Sequence, residues 1–293
     1  MILAVGEALM ELRRETLDGH LVRPGTWAGP FPSGAPAIFA SVAARLGAPT
    51  ALAASVGDDV FGRALIERLR RDGVVDDGIV TVPGRATAVA FVAYRESGAR
   101  DFWFSISDSA AMDLDPKTAE RLADRADWMH VSGSTLGFGG CPARATEAAA
   151  ARVLQRGGRL SLDPNVRTAD ERLRDTVVRL ARSAHVLFPS EGELAALGLD
   201  APELASEGAV VCETRGRDGA LLFEGAGDPV QVTVAEADEV DPTGAGDTFA
   251  AAFVTALRAG AGARSAAEFA AGTAARSVGV LGAMEAPVEP RVP

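Results

Sequence analysis

The most informative stretch of this 293-residue sequence is Asp241-Pro242-Thr243-Gly244-Ala245-Gly246-Asp247, which runs into a long segment of small residues typical of a helix. A helix N-terminus leaves about four backbone N–H groups without intrahelical partners and carries partial positive charge. Gly244 and Gly246 have no Cβ atom, so an anion can approach these N–H groups closely. The stretch therefore predicts an anion site at the start of a helix, with the Asp247 carboxylate in its first turn.

Asp247 has two interpretations on this evidence. Its carboxylate can take a proton from a hydroxyl while the backbone N–H groups of Gly244, Ala245 and Gly246 stabilise charge on a transferring phosphoryl group. Alternatively, it only complements the helix dipole, and the glycines only form a turn. Each glycine in a helix lowers its stability by about 1 kcal/mol relative to alanine. Alanine is abundant in this chain and would avoid that cost at Gly244 and Gly246. The residues alone leave the two interpretations about equal.

The elements outside this stretch alternate between strand and helix patterns. Short apolar runs predict strands at 2–5 and 50–56, and a run of small apolar residues closed by a glycine predicts a helix at 36–46. Two β-rich runs within 87–106 predict a hairpin outside the main sheet. Beyond the hairpin the alternation resumes, starting with a predicted helix at 116–126 and a predicted strand at 128–132. This pattern indicates an α/β protein with a doubly wound, mostly parallel sheet, in one domain spanning 1–293.

Composition excludes several classes of protein. The net charge of −11 argues against binding to nucleic acid or to an anionic membrane surface. The sequence has no apolar run of about 18 residues and no basic leader, so we expect a cytoplasmic protein without a membrane partner. Its two cysteines and three histidines lack metal-ligand spacing. The GxxxxGK[ST] loop is also absent, so any phosphate site uses backbone amides and arginines.

Three further stretches occur in the order expected of a known family: Gly34-Ala35-Pro36-Ala37, Ala44-Arg45-Leu46-Gly47 and Val56-Gly57-Asp58-Asp59-Val60-Phe61-Gly62. Together with the stretch ending at Asp247, they resemble the signatures of the ribokinase-like sugar kinases of the PfkB family. The resemblance covers nearly the whole chain. It implies a ribokinase-like fold with a small β-sheet lid from about 11–32 and 86–107. It also implies that Asp247 is the catalytic base, which favours the first of its two interpretations.

The resemblance extends to the acceptor side of the site. It implies that the acceptor is bound by a set of residues from four segments: Glu11, Ser33, Gly34, Ala35, Asn165, Arg167 and Asp247. Arg167 is also implied to be catalytic, because a guanidinium can pair with two phosphate oxygens, although a solvated arginine is the alternative. Ser33 replaces a glycine of the family pattern, Ile38 replaces an asparagine, and Ser190 stands where the family usually has an asparagine. The sequence therefore departs from the family where the sugar, the metal and the nucleotide are held, and not in the chemistry around Asp247.

On the nucleotide side, the resemblance implies ATP and Mg²⁺ as cofactors and allows a monovalent cation such as K⁺. The implied nucleotide-binding residues are Ser190, Thr214, Gly216, Gly219, Gly244 and Gly246. Glu193 is implied to support Mg²⁺ through water. A serine followed three residues later by a glutamate is also an ordinary capping box, and Gly216 and Gly219 also suit a plain hairpin.

The substrate prediction rests on the closest likenesses within the family, which are to fructokinase, tagatose kinase and 2-keto-3-deoxygluconate kinase. We expect a ketose such as fructose or tagatose, because no arginine directly follows the lid aromatics, although Arg95 and Arg100 keep the sugar acid as an alternative. A nucleoside kinase and a non-catalytic sugar sensor are the remaining alternatives. The lid strands supply five aromatic residues, Phe91, Tyr94, Phe102, Trp103 and Phe104. Their alternation predicts that about half face the site and half face outward, where they form a homodimer contact.

Overall fold

A computed structural model describes residues 1–97, 100–165 and 171–289. The strands in this part of the chain are β1 (Ile2–Val5), β2 (Leu9–Arg14), β3 (Trp27–Ser33), β4 (Thr50–Gly57), β5 (Ile79–Val82), β6 (Val89–Tyr94), β7 (Arg100–Ser105), β8 (Trp128–Ser132), β9 (Arg159–Asp163), β10 (Val186–Leu187), β11 (Val210–Thr214), β12 (Ala220–Glu224) and β13 (Val230–Val232). Nine of them form one sheet in the order β13-β12-β11-β10-β9-β8-β1-β4-β5. The pairs from β11 to β5 are parallel, and β12 and β13 run antiparallel at one edge.

The helices cover both faces of this sheet. They are α1 (Ala35–Arg45), α2 (Val60–Arg71), α3 (Pro116–Ala123), α4 (Gly133–Phe138), α5 (Gly140–Gln155), α6 (Glu171–Ser183), α7 (Glu193–Leu197), α8 (Ala201–Ser206), α9 (Ala245–Ala259) and α10 (Ala263–Ser277). One apolar cluster packs α1, α9 and α10 against one face, and a second packs α3, α5 and α6 against the other. This is the doubly wound arrangement expected from the sequence. No helix of the described residues is long and apolar enough to cross a bilayer.

A second sheet of four strands, in the order β3-β2-β6-β7, forms the lid. The pairs β2–β3 and β6–β7 are antiparallel, whereas β2 and β6 run parallel. The lid thus combines two segments that are distant in sequence. The hairpin β6–β7 confirms the predicted hairpin, and β2 and β3 lie in the first predicted lid segment except for two residues at the start of β2 and one at the end of β3.

The lid aromatics alternate between its two faces. Phe91 and Trp103 are opposite each other in the β6–β7 pair and form an outer cluster with Trp27, and Trp103 is 56% exposed. Phe104 lies on the inner face, where its ring packs against Phe138 of the body. Tyr94 is also buried toward the body. The period-two alternation expected from the sequence is therefore confirmed.

Four parts of the sequence prediction were wrong or incomplete. The helix predicted at 116–126 ends at Ala123, because Asp124–Ala126 form the turn that leads into β8. The prediction contained no α4, α8 or β5. In α4 (Gly133–Phe138), glycine, serine and threonine have low helix propensity. The hydroxyls of Ser134 and Thr135 there donate to the buried Glu7 carboxylate, so tertiary contacts support this helix.

Candidate active site

A cavity of about 1250 Å³ opens at the carboxyl ends of the parallel strands. This is the edge at which open α/β sheets bind ligands. Many of the predicted site residues line it: Asn165, Ser190, Thr214, Gly216, Gly219, Gly244, Ala245, Gly246 and Asp247. The structure therefore brings together in one cavity residues that are up to 82 positions apart in the sequence, from Asn165 to Asp247.

The loop before α9 has a conformation that requires glycine. Gly244 is the N-cap of α9, with φ of 75° and ψ of 7°. A Cβ atom there would lie 3.0 Å from Ala283 Cβ and 3.1 Å from Ile38 Cδ1. The left-handed backbone and the tight surroundings both disfavour a side chain. Gly244, Ala245 and Gly246 line the cavity, and Asp247 lies partly exposed in the same turn.

The buried Asp241 carboxylate stabilises this loop. Its carboxylate accepts hydrogen bonds from the Thr243 N–H at 3.1 Å and from the Gly282 N–H at 3.0 Å. The side chain of Asp241 has no solvent exposure. The N–H groups of Val240 and Asp241 both donate to the carbonyl of Val278, at 2.8 and 2.9 Å. The loop geometry is therefore fixed by a buried carboxylate and by backbone bonds to the segment after α10.

Two lid residues reach the same loop. The Tyr94 hydroxyl lies 2.6 Å from Thr243 Oγ1. Arg13 donates from Nη1 to the Val240 carbonyl at 2.6 Å, and the same nitrogen lies 3.6 Å from Asp241 Oδ1. With Glu11, these side chains form a group that we call the lid–loop cluster: Glu11, Arg13, Tyr94, Asp241 and Thr243.

Glu11 is a buried carboxyl in this cluster. Ser33 donates to Glu11 Oε2 at 3.1 Å, and Oε1 has no hydrogen-bond partner among the described residues. Burial, and secondarily the nearby charge of Asp241, raise the pKa of Glu11 from 4.5 to about 7. A carboxyl with such a pKa can be neutral or charged under ordinary conditions, so it can donate or accept a hydrogen bond to a ligand hydroxyl.

The remaining acceptor-side predictions fall in two places. Ser33, Gly34 and Ala35 connect β3 to α1 next to Glu11, and none of these four residues lines the 1250 Å³ cavity. A Cβ atom on Gly34 would lie 2.6 Å from the Glu7 carbonyl oxygen, which requires glycine there. Asn165 has φ of 40° in the segment after β9, a conformation that asparagine tolerates better than most residues. Arg167 lies outside the described residues.

The opposite part of the cavity is built mainly from backbone and small side chains, and we call it the small-residue end. It includes Thr214, Gly216, Gly219, Ala271, Ala274, Ala275 and Val278. Gly219 has φ of 84°, and a Cβ atom there would lie 2.0 Å from the Val232 carbonyl oxygen. A planar group fits such a wall without displacing long side chains.

Glu193 adopts one half of a capping box. Its Oε2 accepts a hydrogen bond from the Ser190 N–H at 2.9 Å. It does not line the cavity, whereas Ser190 does. In the described part of the chain, no group of three or more His, Cys, Asp or Glu side chains is arranged to hold a metal ion.

Sequence reasoning missed Arg13, Asp241 and Thr243 as site residues. Asp241 and Thr243 belong to the quoted stretch, and their position beside its glycines was a usable signal. Arg13 had no signal, because its partner Val240 is 227 positions away. Of the two lid arginines considered for a sugar acid, Arg95 pairs with Asp101 at 2.6 Å, whereas Arg100 lines the cavity.

Known proteins with similar sequences belong to one family. A model of the pfkB family of carbohydrate kinases matches residues 1–290. Fructokinase-1 of Oryza sativa subsp. japonica is 35% identical over 245 residues, which are 76% of this chain and 72% of that protein. The fructokinase of Klebsiella pneumoniae is 30% identical over 274 residues, covering 88% of this chain and 84% of the relative.

Two solved structures show the same fold. A protein described as a ribokinase II from E. coli, in complex with ATP and Mg²⁺, is 35% identical with a TM-score of 0.89, covering 97% of this chain and 94% of its own. The fructokinase of Vibrio cholerae O395, bound to fructose, ADP and calcium, is 26% identical with a TM-score of 0.80 and the same coverages. The chain therefore belongs to the pfkB family of carbohydrate kinases and is an ATP-dependent sugar kinase.

Proposed function

We propose that the protein transfers the γ-phosphoryl group of ATP to a hydroxyl of a ketose such as fructose or tagatose. One observation carries the proposal: Asp247 and the glycine-rich turn of α9 face the same cavity as the small-residue end. An acceptor hydroxyl near Asp247 and a nucleotide at the small-residue end then meet at the turn. The names of the fructokinase relatives support the choice of a ketose.

Each residue has a distinct role in this proposal. Asp247 accepts the proton of the attacking hydroxyl. The N–H groups of Gly244, Ala245 and Gly246 donate to the transferring phosphoryl group, whose charge grows during the reaction. Arg167 places the phosphates. Because these donors are fixed by the loop conformation, little reorganisation is needed when the charge develops.

On the nucleotide side, Thr214, Gly216 and Gly219 bind ATP together with Ser190. Mg²⁺ neutralises phosphate charge when bound, and Glu193 orients its water ligands. A monovalent cation such as K⁺ is a further proposed cofactor. An assay in K⁺ against one in a bulky organic cation at equal ionic strength tests that dependence.

On the acceptor side, Glu11, Ser33, Gly34, Ala35 and Asn165 bind the sugar. The buried Glu11–Ser33 pair supports this role, because Glu11 Oε1 has no hydrogen-bond partner among the described residues, although the pair does not line the cavity in this structure. This carboxyl–hydroxyl pair suits an uncharged polyol better than an anion.

A specific observation favours 2-keto-3-deoxygluconate as a second candidate. Arg100 on β7 lines the cavity, and its guanidinium is a bidentate partner for a carboxylate. We place the ketose first because the relatives from Oryza sativa and Klebsiella pneumoniae are named as fructokinases.

Measurement of ADP release across ketoses, keto-sugar acids, ribose and nucleosides tests the proposed function. We expect the highest kcat/KM with fructose or tagatose. A clear preference for the keto-sugar acid contradicts the ketose assignment but retains the kinase, and an Arg100→Gln variant then separates the two acceptors. Preference for a nucleoside contradicts both sugar assignments.

We also propose a homodimer formed through the outer face of the lid. Trp27, Phe91 and Trp103 form an aromatic cluster there, and Trp103 is largely exposed. Such clusters often mark an interface. Light scattering of wild type and of Trp103→Ser tests it, and a wild-type monomer at all concentrations contradicts it.

A further inference from the structure

We propose that Arg13 and Tyr94 are positioning residues through which the lid sets the shape of the loop that presents the phosphoryl-binding N–H groups. This inference rests on the proposed function, because it assigns a role in phosphoryl transfer. It concerns residues 240–244, which precede α9 and which we call the anion loop. Neither Arg13 nor Tyr94 lines the cavity, but both contact the loop, Arg13 at the Val240 carbonyl and Tyr94 at Thr243 Oγ1.

Tyr94 connects the lid to the middle of the anion loop. It is the single tyrosine of the chain, and it is buried although it lies at the end of β6. Its hydroxyl lies 2.6 Å from Thr243 Oγ1 and 3.4 Å from Asp241 Oδ1. Thr243 immediately precedes Gly244, the residue with the left-handed conformation. A shift of the Thr243 side chain therefore changes the start of the N–H array directly.

Arg13 provides the positive charge that the buried Asp241 requires. A buried carboxylate without a charged partner is strongly destabilising. Arg13 Nη1 lies 3.6 Å from Asp241 Oδ1, and the Arg13 guanidinium stacks 4.6 Å from the centre of the Tyr94 ring. The Glu11 carboxyl lies close enough for the charge of Asp241 to raise its pKa. The lid thus carries the counter-charge for a carboxylate of the body.

These contacts couple the position of the lid to the arrangement of the anion loop. When the lid lies over the site, Arg13 and Tyr94 complete the support of the anion loop that Gly282 and the Thr243 N–H provide from the body. When the lid moves away, Asp241 loses its counter-charge and Thr243 loses its hydrogen-bond partner on the lid. The donors of the anion loop are therefore arranged for phosphoryl transfer only when the lid also covers the acceptor, which limits wasteful transfer to water.

Arg14 offers a matched control beside Arg13 on β2. Its side chain donates to the Pro24 carbonyl at 2.7 Å and stacks 5.2 Å from the Trp27 ring. Both arginines therefore make one carbonyl hydrogen bond and one aromatic contact, but Arg14 does so within the lid. A purely structural role of β2 arginines affects both equally, whereas positioning of the anion loop affects Arg13 alone.

The first experiment compares Arg13→Gln with Arg14→Gln in the full chain, using ATP and the preferred sugar. We expect Arg13→Gln to lower kcat about 10²-fold, because a small displacement of catalytic groups has an effect of this size. We expect its KM for ATP to change by less than about threefold, since the small-residue end is untouched. The ratio of ATP hydrolysis to sugar phosphorylation should rise in Arg13→Gln and stay unchanged in Arg14→Gln.

Arg13→Lys distinguishes a positioning effect from a folding defect in Arg13→Gln, because lysine retains the charge beside Asp241. We expect it to recover part of kcat at an unchanged melting temperature. Equal kcat in Arg13→Gln and Arg14→Gln overturns the inference, as does an Arg13→Lys variant that folds normally but is no more active than Arg13→Gln. Wild-type protein that releases no ADP with any acceptor overturns the proposed function and the inference with it.

The second experiment is a double-mutant cycle on the hydroxyl pair. We expect Tyr94→Phe and Thr243→Val each to lower kcat about 10-fold, and the double variant to be little worse than either, because both remove the same hydrogen bond. Multiplicative losses in the double variant, or a Tyr94→Phe variant with wild-type kcat, overturn the coupling while leaving the kinase assignment intact.

Discussion

The small-residue end of the cavity and the lid–loop cluster differ in what they present to a ligand. The first consists of backbone, glycine and alanine around open space. The second consists of four ionisable side chains and one threonine, which are largely buried and are linked by the Tyr94–Thr243 hydrogen bond and the Arg13–Asp241 ion pair. A surface of backbone and small side chains binds a ligand mainly by its shape. A set of buried charged groups loses its mutual stabilisation when any one of its side chains is replaced. We therefore expect substitutions to have graded effects at the first and abrupt effects near the second.

Asp247 lies between these two regions, and its replacement has the largest expected effect. Asp247→Asn preserves size but cannot accept the acceptor proton, so we expect kcat to fall by about 10³-fold or more. Circular dichroism and thermal melting should match wild type. Asp228→Asn, an exposed carboxylate in the β12–β13 connection, is the control and should retain full activity. An Asp247→Asn enzyme with near wild-type turnover would disprove the proposed mechanism.

The glycine of the anion loop should be the next most sensitive position. Gly244→Ala introduces a Cβ into a left-handed, tightly packed site, and we expect kcat to fall about 10²-fold because the donors shift. Gly260→Ala is the control. Gly260 is the left-handed C-cap of the same helix, and nothing lies within 4 Å of its added Cβ.

Both variants should lose about 1–2 kcal/mol of unfolding free energy from backbone strain, but only Gly244→Ala should lose activity. The measurement is kcat together with urea unfolding. Equal activities in the two variants would show that the anion loop tolerates displacement. The lid–loop cluster and the small-residue end would then not differ in their sensitivity to substitution at Gly244.

The lid–loop cluster should make the stability of the protein depend on pH through Glu11. Its pKa is about 7 in the folded protein and 4.5 ordinarily, so the folded state binds the proton more tightly. This contribution to stability is complete below about pH 4.5 and is lost as the pH rises through 7. Between pH 5 and pH 8 the wild type should therefore lose on the order of 2 kcal/mol of unfolding free energy. We expect this pH-dependent fall to be absent in Glu11→Gln.

Urea unfolding of wild type and Glu11→Gln at both pH values measures this difference. Glu15→Gln, at an exposed position just after β2, should behave as wild type. If the wild-type difference persists unchanged in Glu11→Gln, another group is responsible, and the electrostatic picture of the cluster is wrong.

The smallest effect is expected at the small-residue end. Gly216 has φ of 56°, and nothing lies within 4 Å of an added Cβ. We expect Gly216→Ala to raise the KM for ATP by about fivefold, which corresponds to about 1 kcal/mol of backbone strain, with kcat unchanged. Initial rates at saturating sugar measure it. A large fall in kcat would mean that this end also takes part in the chemistry.

The comparison also explains what the sequence could predict. The small-residue end and the anion loop depend on glycines at fixed offsets, and such positions are visible in a single sequence because few residues can replace them. The alternating apolar and amphipathic runs likewise predicted nearly every strand of the large sheet. The strand β5 was missed although three of its four residues, Ile79, Val80 and Val82, are apolar and β-branched, which was a usable strand signal.

The lid–loop cluster could not be predicted in the same way. An arginine followed by another arginine in β2 gives no sign of which one faces the body, and the strand register decides it. Tyr94 was predicted only as one of several lid aromatics. Its role depends on contacts with Asp241 and Thr243, about 150 positions away in the chain, and such pairings follow from the fold and not from local pattern.

The parallel pairing of β2 with β6 has a consequence for how the protein folds. Residues 10–13 pair with residues 89–92, and α1, β4, α2 and β5 lie between them. Closing so long a loop is entropically costly, and a parallel pair cannot form as a local hairpin. We therefore expect the lid sheet to assemble only after the intervening part of the large sheet has formed. In hydrogen exchange, the amides that join β2 to β6 should accordingly be among the first sheet amides to lose protection.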